Sequence, residues 1–284
     1  MFNMTFASTS LKRHVSANVI IPADMCLGPQ PNLDEKFKTL YLLHGYTGDF
    51  TDWMTKSMVL ETAQQCGIAV VMPSGENAFY VDIEHSGRLY STFLAHDLVN
   101  FTRKMFPLSD RREDTLIGGL SMGGYGALYN GMKHNSVFGH ILALSSALVV
   151  ESAVDSTDVP NAIGANRGYY MDVFGDLSKV LESDKNIEVL AKQVLDSGAA
   201  LPKLYMACGY NDMLAHSNRK LSKKLGEMGF AHTYEEGAGT HEWPFWSDFL
   251  KRGLDSLGFA PKMEVTPRSL FWADAKDSSP NPVT

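Results

Sequence analysis

Cysteine is scarce in this sequence: there are three, Cys26, Cys66 and Cys208, an odd set without C-x-x-C spacing. That excludes a disulfide scaffold and a zinc ribbon, and it points to a reducing compartment, the cytoplasm. Long apolar runs are missing too. The longest, Ile141 to Val150, is ten residues and is broken by Ser145 and Ser146, too short to span a bilayer. The first residues, MFNMTFASTSLKRH, hold no basic segment leading into an apolar run, so no secretory signal is expected. Positive charge is in deficit: 25 Lys and Arg face 32 Asp and Glu, a net charge of −7. Neither a nucleic acid nor an anionic membrane is a charge match for such a chain. Internal repeats and low-complexity blocks are absent as well.

What is present is ordinary globular material. Apolar residues make up 44% of the 284 and charged residues 20%, enough for a sizeable core. Lys12 to Pro22 alternates enough, through Val15, Ala17 and Val19, to read as an early strand, and short, nearly continuous apolar runs follow at Phe37 to Leu43, Ile68 to Met72, Thr115 to Leu120, His140 to Leu144 and Leu204 to Ala207. Runs of this kind are strands buried on both faces. Between them lie helical stripes: Leu94, Leu98, Phe101 and Met105; Leu221, Leu225 and Met228; Trp246, Phe249, Leu250, Leu254 and Leu257. The alternation predicts an α/β fold, a mostly parallel central sheet with helices on both faces, whose ligands sit at the carboxyl ends of the strands. Residues 1–260 form one domain on this reading. Residues 147–200 break the alternation, as either a cap-like excursion or a crossover with a long loop. Residues 261–284 make a C-terminal extension with a polar, frayed end.

The chemistry is carried by Gly119-Leu120-Ser121-Met122-Gly123, which follows one strand and opens a helix reaching about Lys133. G-x-S-x-G between strand and helix marks a nucleophilic serine on a strained turn, whose flanking glycines let strand and helix pack closely. There is no G-x-G-x-x-G and no Gly-Lys-Ser/Thr, so phosphate-loop readings fail. His44-Gly45-Tyr46, just after another strand, is placed to supply a second oxyanion donor, so the donors are the backbone N–H groups of Tyr46 and Met122. For the His44 side chain the expectation is a structural role.

A serine hydroxyl needs a base. Among nine histidines, His241 lies in a glycine-containing loop before the last helix, whereas His14, His85, His96, His134, His140, His216 and His232 read as surface or packing residues. His241-Glu242 is not a zinc motif, because the residue that would complete H-E-x-x-H is Phe245. The orienting acid is expected on the loop after Leu204 to Ala207, which gives Asp212, with N-capping of the next helix as its alternative role. Asp172, Asp176 and Asp196 are less well placed. Trp53, Tyr80, Trp243 and Phe245 are candidates to line a substrate pocket, or to pack at sheet and helix ends.

Taken together, LLHGYTGDFTDW, MPSGENAFYVD, GGLSMGGYGAL, CGYNDML and GTHEWPFW, spread from about Arg13 to Phe259, resemble the esterase D-like branch of the α/β-hydrolases, and within it the bacterial tributyrin esterases. The resemblance implies hydrolysis of short acyl esters with Ser121, Asp212 and His241 as triad, with no metal or organic cofactor. Related enzymes extend the range to S-formylglutathione hydrolases and to carbohydrate esterases that remove acetyl or feruloyl groups from plant polysaccharide. The expected partner is thus a small-molecule or carbohydrate-linked ester, and self-association into a homo-oligomer stays open. Acyl transfer to an alcohol shares the same acyl-enzyme. A binding module on this fold would be expected to lose a triad member, and here all three positions are filled.

Overall fold

In the computed structural model, which describes residues 1–23 and 35–261, eight strands form one sheet in the order β1-β2-β4-β3-β7-β8-β9-β10. These are β1 (Phe2–Ser8), β2 (Arg13–Ile20), β3 (Thr39–Leu43), β4 (Ala69–Pro73), β7 (Thr115–Leu120), β8 (His140–Leu144), β9 (Lys203–Gly209) and β10 (His232–Gly237), while β5 (Asp82–Ile83) and β6 (Arg88–Leu89) pair separately. From β4 to β10 every pairing is parallel; β1–β2 and β2–β4 are antiparallel. All six strands expected from the sequence are present, and β1 and β10 are added at the two edges. Most of the 261–284 extension, including its expected frayed end, and Cys26 lie outside the described residues.

The strands carry their own layer assignment. Tyr41, Leu43, Ile117, Ile141, Ala143 and Met206 join the core on one face, and their neighbours Leu40, Leu42, Leu116, Leu142, Leu144, Tyr205 and Ala207 join that on the other. This is the period-two alternation of a pleated strand, hidden in the sequence because both faces are apolar. The first face is covered by α5 (Met122–Lys133), α8 (Ile187–Asp196) and α9 (Ala215–Glu227), the second by α2 (Val59–Cys66) and α10 (Trp243–Ser256). The short α1 (Asp52–Lys56) precedes α2.

One helical expectation is modified. From Tyr90 to Met105 the helix is α3 (Tyr90–Thr92), then a π-helical stretch over Phe93–Leu98, then α4 (Val99–Met105). The wider turn breaks the regular spacing of the stripe, so Leu94 and Leu98 are buried, Phe101 is half-buried, and Met105 faces solvent.

Residues 147–200 run from the end of β8 to just before β9. Helix α8 packs between α5 and α9 as the crossover from β8 to β9. Before it, α6 (Val150–Val154) and α7 (Arg167–Phe174) make an excursion pinned to other loops. Tyr169 donates to Asn77 O at 2.6 Å, and Asp172 accepts from His85 and Arg88. Among the described residues no helix is long and apolar enough to cross a membrane.

Two histidines couple this fold to pH. Burial pushes both His134 and His140 down from 6.5 to about 4, assisted by His96 and Lys133 for the first and by Lys203 and Arg112 for the second. The unfolded chain therefore takes up protons from about pH 6.5 downward while the native protein refuses them until about pH 4, so stability falls across that window as pH drops. Urea titrations at stepped pH should show this decline, and the double variant His134→Gln/His140→Gln should flatten it. An equally steep decline in that variant would assign the effect to other groups.

Candidate active site

Five parallel strands end on the same side, and each is followed by a residue of one constellation: His44 after β3, Ser121 after β7, Ser145 after β8, Asp212 beyond β9 and His241 beyond β10. Ser121 has φ 55° and ψ −118°, a strained backbone that lifts its side chain out of the strand-to-helix turn. The glycines two positions either side make this turn feasible. A Cβ on Gly119 would lie 2.5 Å from Gly123 O, and one on Gly123 would lie 2.5 Å from Leu43 O.

The structure brings the three sequence-derived residues into hydrogen-bonding contact. Ser121 Oγ–H donates to His241 Nε2 at 3.0 Å, and His241 Nδ1–H donates to Asp212 Oδ2 at 2.9 Å. The carboxylate side chain is fully buried, whereas the imidazole keeps 23% of its surface exposed, so His241 can meet a ligand and Asp212 cannot. Burial opposes charge on Asp212, but the hydrogen bonds from His241 and the Leu214 N–H prevail and hold its carboxyl below the usual carboxylate range. Asp212 Oδ1 also accepts from Leu214 N–H at 2.8 Å, but the residue at the N-cap of α9 is Leu214 and no side chain caps that helix, so Asp212 does not take the N-capping role that was its alternative. The other acids are engaged elsewhere: Asp172 with His85 and Arg88, Asp176 with Ser178, Asp196 with Lys192.

The backbone N–H of Tyr46 and that of Met122, the first residue of α5, donate to no acceptor among the described residues. Free donors at a helix start favour a developing anion. His44 is structural, as expected. Its Nε2 accepts from Gly75 N–H at 2.8 Å and its Nδ1–H donates to Gly45 O at 2.7 Å, while burial pushes its pKa down despite Gly45. The ring thus fastens the loop after β3 to the loop after β4.

The pocket candidates need correction. Trp53, Tyr80 and Phe245 are at most 3% exposed and present almost no surface to a ligand. Trp53 donates its indole N–H to Leu43 O, Tyr80 donates its hydroxyl to His44 O, and Phe245 stacks on Phe249 with ring centroids 4.1 Å apart. Near the site in sequence, they point into the core because helix and loop register turns them there. Trp243 stays half-buried, edge to face with Trp53 and Trp246. Tyr46 is half-buried as well, edge to face with Tyr169 of the excursion at 5.9 Å. Sequence reasoning missed Tyr169, Ser145 and Trp246. For Ser145 the signal was available: a serine pair interrupting the one long apolar run, at a strand's carboxyl end.

No group of three His, Cys, Asp or Glu among the described residues is placed to hold a metal ion. Comparison with known proteins fits the geometry. The profile of the Esterase family, described as "Putative esterase", matches residues 8–257. An acetyl esterase of Caldicellulosiruptor saccharolyticus is 41% identical over 258 residues, covering 90% of this chain and 97% of the relative. Two solved structures from Staphylococcus aureus are each 25% identical and cover 90% of this chain and 97% of their own. They are a substrate-bound fluorophosphonate-binding serine hydrolase with a TM-score of 0.79 and an S-formylglutathione hydrolase with a TM-score of 0.77.

Proposed function

The chain belongs to the Esterase family, and from that membership we propose the chemistry of this site: a serine carboxylesterase that hydrolyses short-chain acyl esters through an acyl-enzyme on Ser121. The observation that carries it is the unbroken chain Ser121–His241–Asp212 at 3.0 and 2.9 Å on a strained elbow. His241 Nε2 takes the serine proton as Ser121 Oγ bonds to the acyl carbon. The charge that develops on the carbonyl oxygen is met by the N–H groups of Tyr46 and Met122. His241 then returns the proton to the departing alcohol. Water repeats the sequence in reverse and frees the acid. Asp212 holds the imidazole in the Nδ1–H tautomer and stabilises its charged form. The free, buried thiols Cys66 and Cys208 suit a reducing compartment, and we place the enzyme in the cytoplasm.

A short-acyl preference is proposed because the loops that carry the site hold large, half-buried aromatics leaning on other aromatics, Tyr46 on Tyr169 and Trp243 on Trp53 and Trp246. A methylene adds about 0.8 kcal/mol only while it can be buried. Along the nitrophenyl ester series kcat/KM should peak between acetate and butyrate and fall by octanoate. A rise that continues through octanoate and decanoate would refute the short-acyl reading. Methyl ferulate or acetylated xylan turned over faster than every straight chain would move the substrate to the plant-polysaccharide esters.

A further inference from the structure

The amino ends of the parallel strands, opposite the side that carries Ser121, hold a second cleft of about 350 Å³. Strands of five to seven residues separate the two ends, roughly 16–23 Å at 3.3 Å per residue, so this cleft is distinct from the triad. Four segments build it. Lys38 precedes β3, Arg112 stands in the turn that leads into β7, His140 opens β8, and Lys203 opens β9 in register beside it. The turn closes onto β8 because residue 139 is glycine. Gly139 N–H donates to Arg112 O at 3.1 Å and to Thr115 O at 3.0 Å, and a Cβ at 139 would lie 2.5 Å from Arg112 O. The Arg112 guanidinium donates to the carbonyls of Asn135 and Ala200, which fixes the group and leaves further N–H donors free. Phe259 joins two other members: Lys38 Nζ lies 5.0 Å from its ring centroid, and the His140 ring stands edge to face with it at 4.9 Å.

Two observations point to a ligand. The first is His140, which is 6% exposed, lines the cleft, and has its Nδ1 buried without a hydrogen-bond partner. A buried polar atom in that state is costly unless something else completes it. The second is charge. In a chain of net charge −7, Lys38, Arg112 and Lys203 gather here with no carboxylate partner among the described residues. The two acids of the same wall are engaged by Arg111, Glu113 at 3.8 Å and Asp114 at 3.5 Å, and Asp114 also accepts from the Ser109 hydroxyl at 2.7 Å. Burial keeps the imidazole neutral, with its pKa pushed down to about 4, and Lys203, Arg112 and Lys38 assist against the opposing pull of Asp114. A neutral imidazole still has one N–H to give.

We infer that this cleft binds the phosphate group of a small molecule, held by Lys38, Arg112 and Lys203 together with the imidazole of His140. Donors arriving from four segments suit a tetrahedral anion with several outer oxygens better than a planar carboxylate, and the guanidinium can pair two of those oxygens at once. The residues that follow Pro261 are a poor rival occupant, because Lys262, Arg268 and Lys276 offset Glu264, Asp274 and Asp277. Remote from Ser121, a bound phosphate stabilises the native chain and takes no part in ester chemistry.

Calorimetry and thermal unfolding at pH 7 and constant ionic strength test this with inorganic phosphate, glucose 6-phosphate, acetate and chloride, on the wild type and on Lys38→Gln/Lys203→Gln. Both lysines are exposed and lie outside the catalytic machinery, so the variant should fold and keep nitrophenyl acetate turnover within about twofold. Phosphate should bind the wild type with a dissociation constant on the order of 1 mM, raise its melting temperature saturably, and bind the variant at least about tenfold more weakly. It should also move the His140 Cε1–H resonance, with the pKa of the ring rising as the anion offsets the surrounding cations. Tighter binding of glucose 6-phosphate than of phosphate supports the site as one for a larger phosphorylated molecule, and the reverse supports it as one for the free ion. Absence of saturable binding by either, acetate or chloride binding as tightly as phosphate, or undiminished binding in the variant overturns the inference. None of these outcomes touches the triad, whose own test is Ser121→Ala.

Discussion

Replacing Ser121 by alanine should leave a folded protein whose ester turnover is lower by about five to six powers of ten. The fold survives because alanine keeps the Cβ and loses one oxygen. The positive φ at this position strains both residues alike, and the backbone contacts to Leu144 and Ala147 are untouched. Turnover collapses because no other hydroxyl is bonded to His241 Nε2 among the described residues. What activity remains would come from the Tyr46 and Met122 donors acting on a water attack. Thermal unfolding should be nearly unchanged. A fluorophosphonate should attach to Ser121 in the wild type and to nothing in the variant, as read by peptide mass mapping. Labelling at another serine, or full activity in the variant, would refute the nucleophile.

The second large effect is at Asp212. Asp212→Asn should reduce kcat by about four powers of ten, while Asp172→Asn and Asp176→Asn stay within a few-fold of wild type. The geometry supplies the reason. Leu214 N–H donates to this side chain, and in an asparagine it would claim the one remaining oxygen. The amide NH2 then faces His241 Nδ1 and forces the proton onto Nε2, where it blocks acceptance from Ser121. Asp172 ties α7 to His85 and Arg88, and Asp176 lies exposed beside Ser178, so neither reaches the imidazole. A kcat loss in Asp176→Asn as large as that in Asp212→Asn would mean that the acid has been misassigned.

The hydrogen-bonded trio of Ser121, Asp212 and His241 was readable from sequence because Ser121 and Asp212 follow recognisable buried runs, His241 lies in a glycine-containing loop before the last helix, and the three come in the chain order Ser, Asp, His. Strand β7 feeds Ser121 directly, and LYMACG ends a few residues before Asp212. What could not be read was direction. Trp53, Tyr80 and Phe245 lie within a few residues of site loops, yet their side chains turn into the core, and only the three-dimensional register of loop and helix decides that. The strand β10 was missed for a different reason. Its residues, HTYEEG, are half-exposed and polar, so they carry no apolar run, and the parallel pairing with β9 that makes them a strand is a tertiary fact. The stripe ending at Met105 failed for a third reason: a π-helical turn is invisible to a search at 3.6 residues per turn.

That polar last strand has a consequence for the protein at high concentration. A sheet of parallel strands ends in a row of unpaired backbone groups, and another copy could extend it strand upon strand. On β10 that approach is guarded by ions. Glu235 is held by Arg252 and Tyr205, and Glu236 by Arg219 in a two-pronged contact. Annealing of a second β10 alongside would bring two such acidic strands together and strip water from their charges, a desolvation cost that opposes fibril-like stacking.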